Sequence, residues 1–443
     1  MFGTAEFAII RHSTRAWHSR PCESYTDPKA FIHCMRILHT ADWHLGRTLY
    51  SKTRYVEFQK FLDWLLETIK DQSIDVLLVA GDVFDTAAPN NAAQQLYYSF
   101  LSQLSDTGCR HVVITGGNHD SPTFLEAPKQ LLRALDIHVI GNATDPVEDE
   151  VILLSNSQGT PELIVCAVPY LRDRDIRTSE AGESLETKET KMREGIARHY
   201  AQVATEADRL RASLGAAIPI IAMGHLYTAG GKTAEGDGVR NLYVGNLAHV
   251  QSSIFPATFD YVALGHLHVP QKVNDLDTIR FSGSPIPMGF GEAKQDKYVN
   301  IVQWTNNQMS VDLIPVPRWQ QLESIEGDWP DIEDRLNALK RSGESVWLEI
   351  AYQGATPMAN LKDKIDQIIA ETQLEYLKVT TPRSYQSILA REGTIETLEE
   401  LDPLETFRRR LQAEKIPAEE WQPLEEAYQE IQLLMHEAGR QSQ

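Results

Sequence analysis

Cysteine is scarce and scattered. The four cysteines, Cys22, Cys34, Cys109 and Cys166, form no CxxC pair. Neither a disulfide framework nor a structural zinc site is expected, and a reducing cytoplasm fits. No apolar run reaches the roughly 18 residues that a membrane-spanning helix requires. Basic charge is also short: 42 Lys and Arg stand against 62 Asp and Glu, for a formal net charge of −20. That balance excludes the usual protein that coats nucleic acid through a basic surface. Part of the acidity sits at 386–443, where 13 Asp and Glu face 6 Lys and Arg. Other carboxylates are expected to face divalent cations, which change the local field. Internal repeats and low-complexity stretches are lacking.

What remains is an ordinary globular composition, 42% hydrophobic and 23% charged, over 443 residues. That length suits two or three domains. Residues 1–34 carry no periodicity, and the apolar stretch at 7–10 is too short for a signal-peptide core. They are expected to be a disordered or misassigned extension, with Met35 a plausible start.

From Met35, short apolar runs recur at 36–39, 74–80, 111–115, 218–223 and 261–264. Each is followed by a loop rich in Asp, Asn, His and Gly. Continuous apolar runs of this length predict strands buried on both faces. Helical patterns alternate with them. In 55–70, Phe58, Phe61, Leu62, Leu65 and Ile69 share one face, and a second helix is expected over 194–214. Strands alternating with helices predict a layered α/β architecture, with ligands held at the carboxyl ends of the strands. After about residue 315 a strand over 345–352, a helix over 358–372 and a strand over 376–381 predict a small α+β domain. Beyond residue 386 two apolar stripes stand at helical spacing: Leu404, Phe407 and Leu411, then Trp421, Leu424, Tyr428, Ile431 and Met435. The stretch 415–417, which ends in Pro417, separates them.

Five short motifs follow the predicted strands. They are D-x-H (Asp42, His44), G-D-x-x-D (Gly81, Asp82, Asp85), G-N-H-D (Gly117 to Asp120), G-H (Gly224, His225) and G-H-x-H (Gly265, His266, His268). A single histidine near a strand end is more often a hydrogen-bonded residue than a ligand. The nine other histidines, among them His39, His111, His138, His199 and His249, read that way. Five such motifs in series, each after a strand, point to one constellation. Carboxylate, imidazole and amide oxygen make a mixed N/O set suited to Mn, Fe or Zn rather than Ca or Mg. Two such ions roughly 3.5–4 Å apart clamp the attacking and leaving oxygens of a phosphoester. Spacing alone therefore predicts phosphoester hydrolysis.

These motifs resemble those of the calcineurin-like metallophosphoesterases. The segments TADWHLG, VAGDVFD, GNHDS, ALGHLH and GSPIP, with the long acidic tail, resemble the family of nuclease D subunits of bacterial SbcCD complexes. The resemblance runs from Met35 nearly to the C-terminus and is strongest up to about Gly291. It implies a metallophosphoesterase nuclease domain over 35–315, an α+β capping domain over 316–385 and a helical partner-binding segment over 386–443. It implies that Asp42, His44, Asp82 and His268 bind one ion. Asp82 would bridge to a second ion held by Asn118, His225 and His266. His119 would contact the scissile phosphate and assist the leaving group. Asp85 and Asp120 look like residues that orient the ligands, or else turn and cap residues. The resemblance further implies Mn²⁺, double-strand exonuclease and single-strand endonuclease activity, and a role in DNA repair and recombination. The implied partners are DNA and a coiled-coil ATPase of the SbcC type, with a homodimer inside a heterotetramer. DNA affinity would then come partly from the partner.

Several features invite other readings. Residues 230–233 (GGKT) resemble the end of a P-loop, but the Gly required five residues before Gly231 is Leu226. Arg172, Asp173, Arg174 and Asp175 suit a solvated loop with local ion pairs better than a phosphate contact. Trp43 is expected to pack rather than touch substrate. A stand-alone phosphatase or phosphodiesterase would need neither the extra domain nor the tail. A scaffold without catalysis would not need the full ligand set.

Overall fold

The structure, a computed structural model, describes residues 35–177, 183–228, 250–305, 308–354, 360–381 and 403–413, with isolated positions at 358, 417, 421, 422, 424, 425, 427 and 428. The extension 1–34, the segment 230–233, His249 and most of the acidic tail, Ile431 and Met435 included, lie outside the described residues.

Chain order begins with β1 (Met35–Thr40), a small hairpin of β2 (Thr48–Leu49) and β3 (Lys52–Thr53), α1 (Tyr55–Asp71), β4 (Val76–Ala80), α2 (Asn91–Gln103), β5 (His111–Thr115), α3 (Pro122–Glu126), α4 (Lys129–Arg133) and β6 (Ile137–Ile140). It continues with β7 (Val151–Ser155), β8 (Pro161–Cys166), α5 (Asp173–Ile176), α6 (Leu185–Leu214), β9 (Ile220–His225), β10 (Tyr261–Gly265), β11 (Gln271–Val273) and β12 (Leu276–Phe281). Then come β13 (Tyr298–Thr305), β14 (Gln308–Pro315), β15 (Gln321–Gly327), α7 (Trp329–Ser342), β16 (Val346–Tyr352), α8 (Leu361–Ile369), β17 (Leu374–Thr380) and α9 (Pro403–Ala413).

Two six-stranded sheets form the first body, in the orders β14-β13-β1-β4-β5-β6 and β11-β12-β10-β9-β8-β7. Strands β1, β4, β5 and β6 run parallel, as do β12, β10, β9 and β8. The apolar runs explain why the sheets stack. Side chains of a strand alternate between faces. In β4, Val76, Leu78 and Ala80 meet Ile221, Met223 and Ala263 of the second sheet, while Leu77 and Val79 face the helical side with Phe58, Phe61 and Leu65 of α1. In β9, Ile220 and Ala222 pack with Tyr200 and Val203 of α6. The result is helix, sheet, sheet, helix. All parallel strands of a sheet deliver their carboxyl ends to one edge.

Helix α6 begins earlier than the predicted 194–214. Its first turns are polar, so amphipathic periodicity starts only near Met192; the Ser184 side chain accepts from the Thr187 amide and caps the added turns. Helix α8 is shorter than the predicted 358–372. The β13–β14 hairpin is not among the predicted strands: β14 lies at a sheet edge and is largely exposed, and Asn300 and Gln303 interrupt the apolar run of β13.

A separate three-stranded parallel sheet, β15-β16-β17, packs its own core against α7 and α8 through Ile332, Leu336, Leu348, Ile350 and Ile365. The β2–β3 hairpin meets this sheet. Leu49 packs with Leu322 and Trp347, and Lys52 pairs with Glu375 at 2.6 Å.

Candidate metal centre

Asp42 and His44 follow β1, Asp82 and Asp85 follow β4, and Asn118, His119 and Asp120 follow β5. His225 ends β9, and His266 and His268 follow β10. The two sheets thus bring residues from five separate strand ends to one place. The loops after β1 and β4 are zipped together: the Asp42, His44 and Leu45 amides donate to the carbonyls of Gly81, Asp82 and Val83 at 3.1, 3.0 and 2.9 Å.

The backbone is bent sharply to achieve this. Asp42, His44, Asp82 and His266 have φ of 53°, 46°, 50° and 100°. Non-glycine residues in that region cost free energy, and such positions gather at functional sites. Space is tight as well. A Cβ on Gly117 would stand 2.2 Å from Asp82 Oδ1, and one on Gly81 2.2 Å from His225 Nδ1. Gly81 and Gly117 are therefore required by close packing around the carboxylate and imidazole.

Three interlocking groups each place one donor atom per residue within 4.8 Å of the others: Asp42, His44 and His268; His44, Asp82 and His119; and Asp82, His225 and His266. Asp82 stands between them, with Oδ2 3.6 Å from His44 Nε2 and 3.3 Å from His225 Nε2. Asn118 Oδ1 lies 3.0 Å from His225 Nε2. Nearly all of these side chains are buried; Asn118 is half-buried. His119 Nδ1 donates to the Asp85 carbonyl at 2.7 Å.

The donor set fits divalent cations on two observations. His266 Nε2 is buried and has no hydrogen-bond partner, a costly state for a polar atom unless something binds it. His44 Nε2 and His268 Nε2 stand only 3.1 Å apart. On their far sides Nδ1 of His44 lies 3.3 Å from Asp85 and Nδ1 of His268 lies 3.1 Å from Glu292. With its Nδ1 proton directed to Glu292, His268 presents the Nε2 lone pair toward the His44 imidazole, an arrangement a cation resolves.

Electrostatics agree. Burial and the neighbouring His225 charge hold His266 far below its ordinary value, so it is a neutral donor. Burial opposes charge on His225, but Asp82 and Asp42 outweigh it and push the imidazole up to about 9. A divalent ion at that position displaces such a proton. Burial also opposes charge on Asp82, yet His225 and His119 hold it well below the usual carboxylate range. Burial, with the charge of Asp82, raises Asp120 to about 6; amides of Gly117, Phe84 and Val83 pull against that rise. Those amides donate at 2.9, 2.9 and 3.1 Å, so Asp120 ties the β4 and β5 loops together. Asp85 touches His44 and accepts from Arg47 at 3.1 Å.

Two residues outside the motifs complete the site. Glu292 and Lys297 are both buried behind His268 and pair with each other; Lys297 also donates to the His268 carbonyl at 2.9 Å and to Ser284 Oγ at 3.0 Å. Only the nearby GSPIP segment hints at them in sequence. Trp43 points away from the site. It is fully buried, meets Phe61 and Phe100 edge-on and donates to Thr40 at 3.1 Å. Asp173 pairs with Arg177, as local ion pairing predicts, but Arg172 is buried and donates to Asn142 at 2.7 Å rather than lying solvated.

Residues 35–270 match the family model of the calcineurin-like phosphoesterases, and residues 318–415 match the type 5 capsule protein repressor C-terminal domain. Among curated proteins, the D subunit of the SbcCD nuclease of Escherichia coli K12 is 37% identical over 89% of this chain and 97% of the relative. The corresponding SbcCD nuclease D subunit of Rhodobacter capsulatus is 32% identical over 79% of this chain and 88% of the relative. That of Bacillus subtilis 168 is 38% identical over 60% and 66%. With a buried His/Asp cluster of the dimetal type at the strand ends and this likeness along nearly its whole length, the chain belongs to the calcineurin-like phosphoesterases and, among them, to the SbcD family of nucleases.

Proposed function

We propose that the chain is the nuclease subunit of an SbcCD-type complex and hydrolyses DNA phosphodiesters as a double-strand exonuclease and single-strand endonuclease. One observation carries the mechanism: the Asp82 carboxylate lies within 3.6 Å of His44 on one side and 3.3 Å of His225 on the other. In this reading Asp42, His44, Asp82 and His268 hold one ion. Asp82 bridges to a second ion held by Asn118, His225 and His266, and Mn²⁺ is the ion. When bound, two such ions stabilise charge on the attacking and leaving oxygens of a phosphoester.

The chain's own groups supply orientation and protons. The Asp85 carbonyl fixes the His119 ring through Nδ1 at 2.7 Å. Nε2, on the far side of that ring, is then the atom that contacts the scissile phosphate and carries a proton to the leaving oxygen. Asp85 orients His44 from behind, and Asp120 holds the backbone of the two ligand loops.

The division of labour follows the chain. Residues 35–315 form the nuclease domain, 316–385 a capping domain and 386–443 the segment that binds a coiled-coil ATPase. The assembly is a homodimer of this chain within a heterotetramer, acting in the cytoplasm. No described helix is long and apolar enough to cross a membrane.

The test is degradation of linear duplex DNA by the purified chain with Mn²⁺, with and without the ATPase, using Asp82→Ala as control. Degradation that needs Mn²⁺ and Asp82, and responds to ATP with the partner, supports the reading. Hydrolysis of a small chromogenic phosphodiester with no action on DNA in either preparation would replace it with a stand-alone phosphodiesterase.

A further inference from the structure

A second cluster of ligating side chains stands at the opposite end of the first sheet. His111 opens β5, His138 lies in β6, and Asp136 precedes β6. One donor atom from each lies within 4.8 Å of the others. The register explains the meeting. Val113 pairs with His138 across the parallel strands, and His111 lies two residues before Val113, hence on the same face. That face is the one turned toward the second sheet, since Val113 packs in the core between the sheets. Four residues of β5, ~13 Å of strand, separate His111 from the Thr115 end that leads to the dimetal centre.

Two observations mark the cluster as more than a chance meeting. His111 Nε2 stands 2.7 Å from the Ser155 carbonyl of β7, in the second sheet. A carbonyl can only accept, so Nε2 carries a proton, and in the neutral ring the lone pair is on Nδ1. That Nδ1 is buried and has no hydrogen-bond partner. A backbone carbonyl fixing one imidazole nitrogen while the other is left bare is the arrangement that metal-bound histidines use. Asp136, the third member, is exposed and adopts φ 56°, a left-handed conformation that Asp tolerates. The cluster borders a cleft of about 440 Å³ lined by His111, Asp136, Ser155, Asn156 and Arg110. The Arg110 charge there is already paired with Asp75 and Glu162. Cys109 also lines the cleft, but its thiol donates to the carbonyls of Asp75 and His111.

We propose that His111, His138 and Asp136 form a third metal site, separate from the dimetal centre, that binds one zinc-class divalent ion at the seam between the two sheets. Two imidazoles and one carboxylate are a common three-ligand set for zinc, with a fourth position open to water in the cleft. An ion there cross-links β5 to β6 within one sheet and fixes the His111 ring that bonds the Ser155 carbonyl of β7 in the other, so its role is to brace this end of the sandwich.

The test counts ions. The full chain, stripped by chelator, is titrated with Zn²⁺ alone, and bound zinc is measured by elemental analysis after gel filtration. The parent is expected to hold one zinc more per chain than His138→Ala or Asp136→Asn, and to gain in Tm on zinc addition where the variants gain less. Asp136→Asn keeps the left-handed preference and alters an exposed group, so it remains informative where His138→Ala fails to fold. Asp82→Ala is expected to lower the count at the other centre while the difference made by Asp136→Asn persists, which separates this site from the proposed dimetal assignments. Equal zinc counts in the parent and in folded Asp136→Asn and His138→Ala overturn the proposal.

Discussion

Glu292 accepts from Nδ1 of His268 at 3.1 Å while its other oxygen pairs with the buried Lys297 ammonium. The carboxylate is almost wholly enclosed. Burial alone would raise it, but Lys297 and His268 hold it at about 2. It therefore stays ionised, fixes the tautomer of His268 and sets the direction of Nε2.

Glu292→Gln keeps the shape and removes the charge. It is expected to weaken Mn²⁺ binding by roughly 10–100-fold, as loss of an outer-shell carboxylate does. Both Glu292→Gln and Glu292→Ala leave the Lys297 ammonium without its counter-charge in the interior, and breaking a buried pair costs about 3–5 kcal/mol. Calorimetric Mn²⁺ titration and urea unfolding in the presence of chelator check the two effects separately. Unchanged affinity in Glu292→Gln would sink the orienting role.

His39 offers a pH test away from the ligands. Its ring is fully buried, 3.0 Å from the Tyr261 hydroxyl and 3.2 Å from the Leu264 carbonyl. Burial, aided by the Arg280 charge, lowers it from the ordinary 6.5 to about 3 against the pull of that carbonyl. The folded value lies below the unfolded one, so the unfolded chain takes up the proton first. Stability from neutral His39 is complete above pH 6.5 and is lost as pH falls toward 3. The slope attributable to this one proton is about 1.4 kcal/mol per pH unit. His39→Gln should flatten the denaturation midpoint over that window. An identical slope in parent and variant would show that His39 is not the group responsible.

The legible parts of the molecule were those with local signatures. Strand β5 matches its apolar run residue for residue, because 112–115 is buried between the helical layer on one side and the second sheet on the other. The metal motifs are legible because each is compressed into two to five residues at a strand end. Glu292 is not, since it lies well past the end of β12, outside any strand-end motif, and reaches His268 across 24 residues. Edge strand β14 exposes most of its side chains, so burial leaves little mark on its sequence. The His111–Asp136–His138 cluster is illegible for a related reason: only the pairing of β5 with β6 brings the two histidines together.

His119 separates chemistry from metal binding. Its amide donates to Asp82 Oδ1 at 2.8 Å through the backbone, which any residue can reproduce. Its ring is the part assigned to proton transfer. His119→Asn should leave the ion count per chain at the parent value and lower the rate of Mn²⁺-dependent DNA cleavage by about 10²–10⁴-fold, the usual contribution of a positioned acid. Elemental analysis alongside single-turnover cleavage gives both numbers. Loss of both ions in the variant would make His119 a ligand instead.

The tail is the remaining assignment. Within it, Phe407 and Tyr428 stack at 4.2 Å, and Arg408 pairs with Glu425 at 2.8 Å. The two predicted stripes therefore meet one another at this point, although Phe407 and Tyr428 both stay partly exposed. In the proposed reading this pair of segments is the part that docks on the coiled coil of the partner. The metal residues all lie between Asp42 and His268, in the first body, whose buried core among the described residues ends at Val316, with half-buried Trp319 packed against it. Removing 386–443 should therefore abolish co-purification with the coiled-coil ATPase while leaving both ions and partner-free cleavage of DNA intact. Affinity capture with the tagged ATPase, beside elemental analysis of the truncated chain, makes the comparison. Undiminished capture would move the docking surface to another part of the chain. Loss of the ions would show instead that the tail supports the nuclease fold.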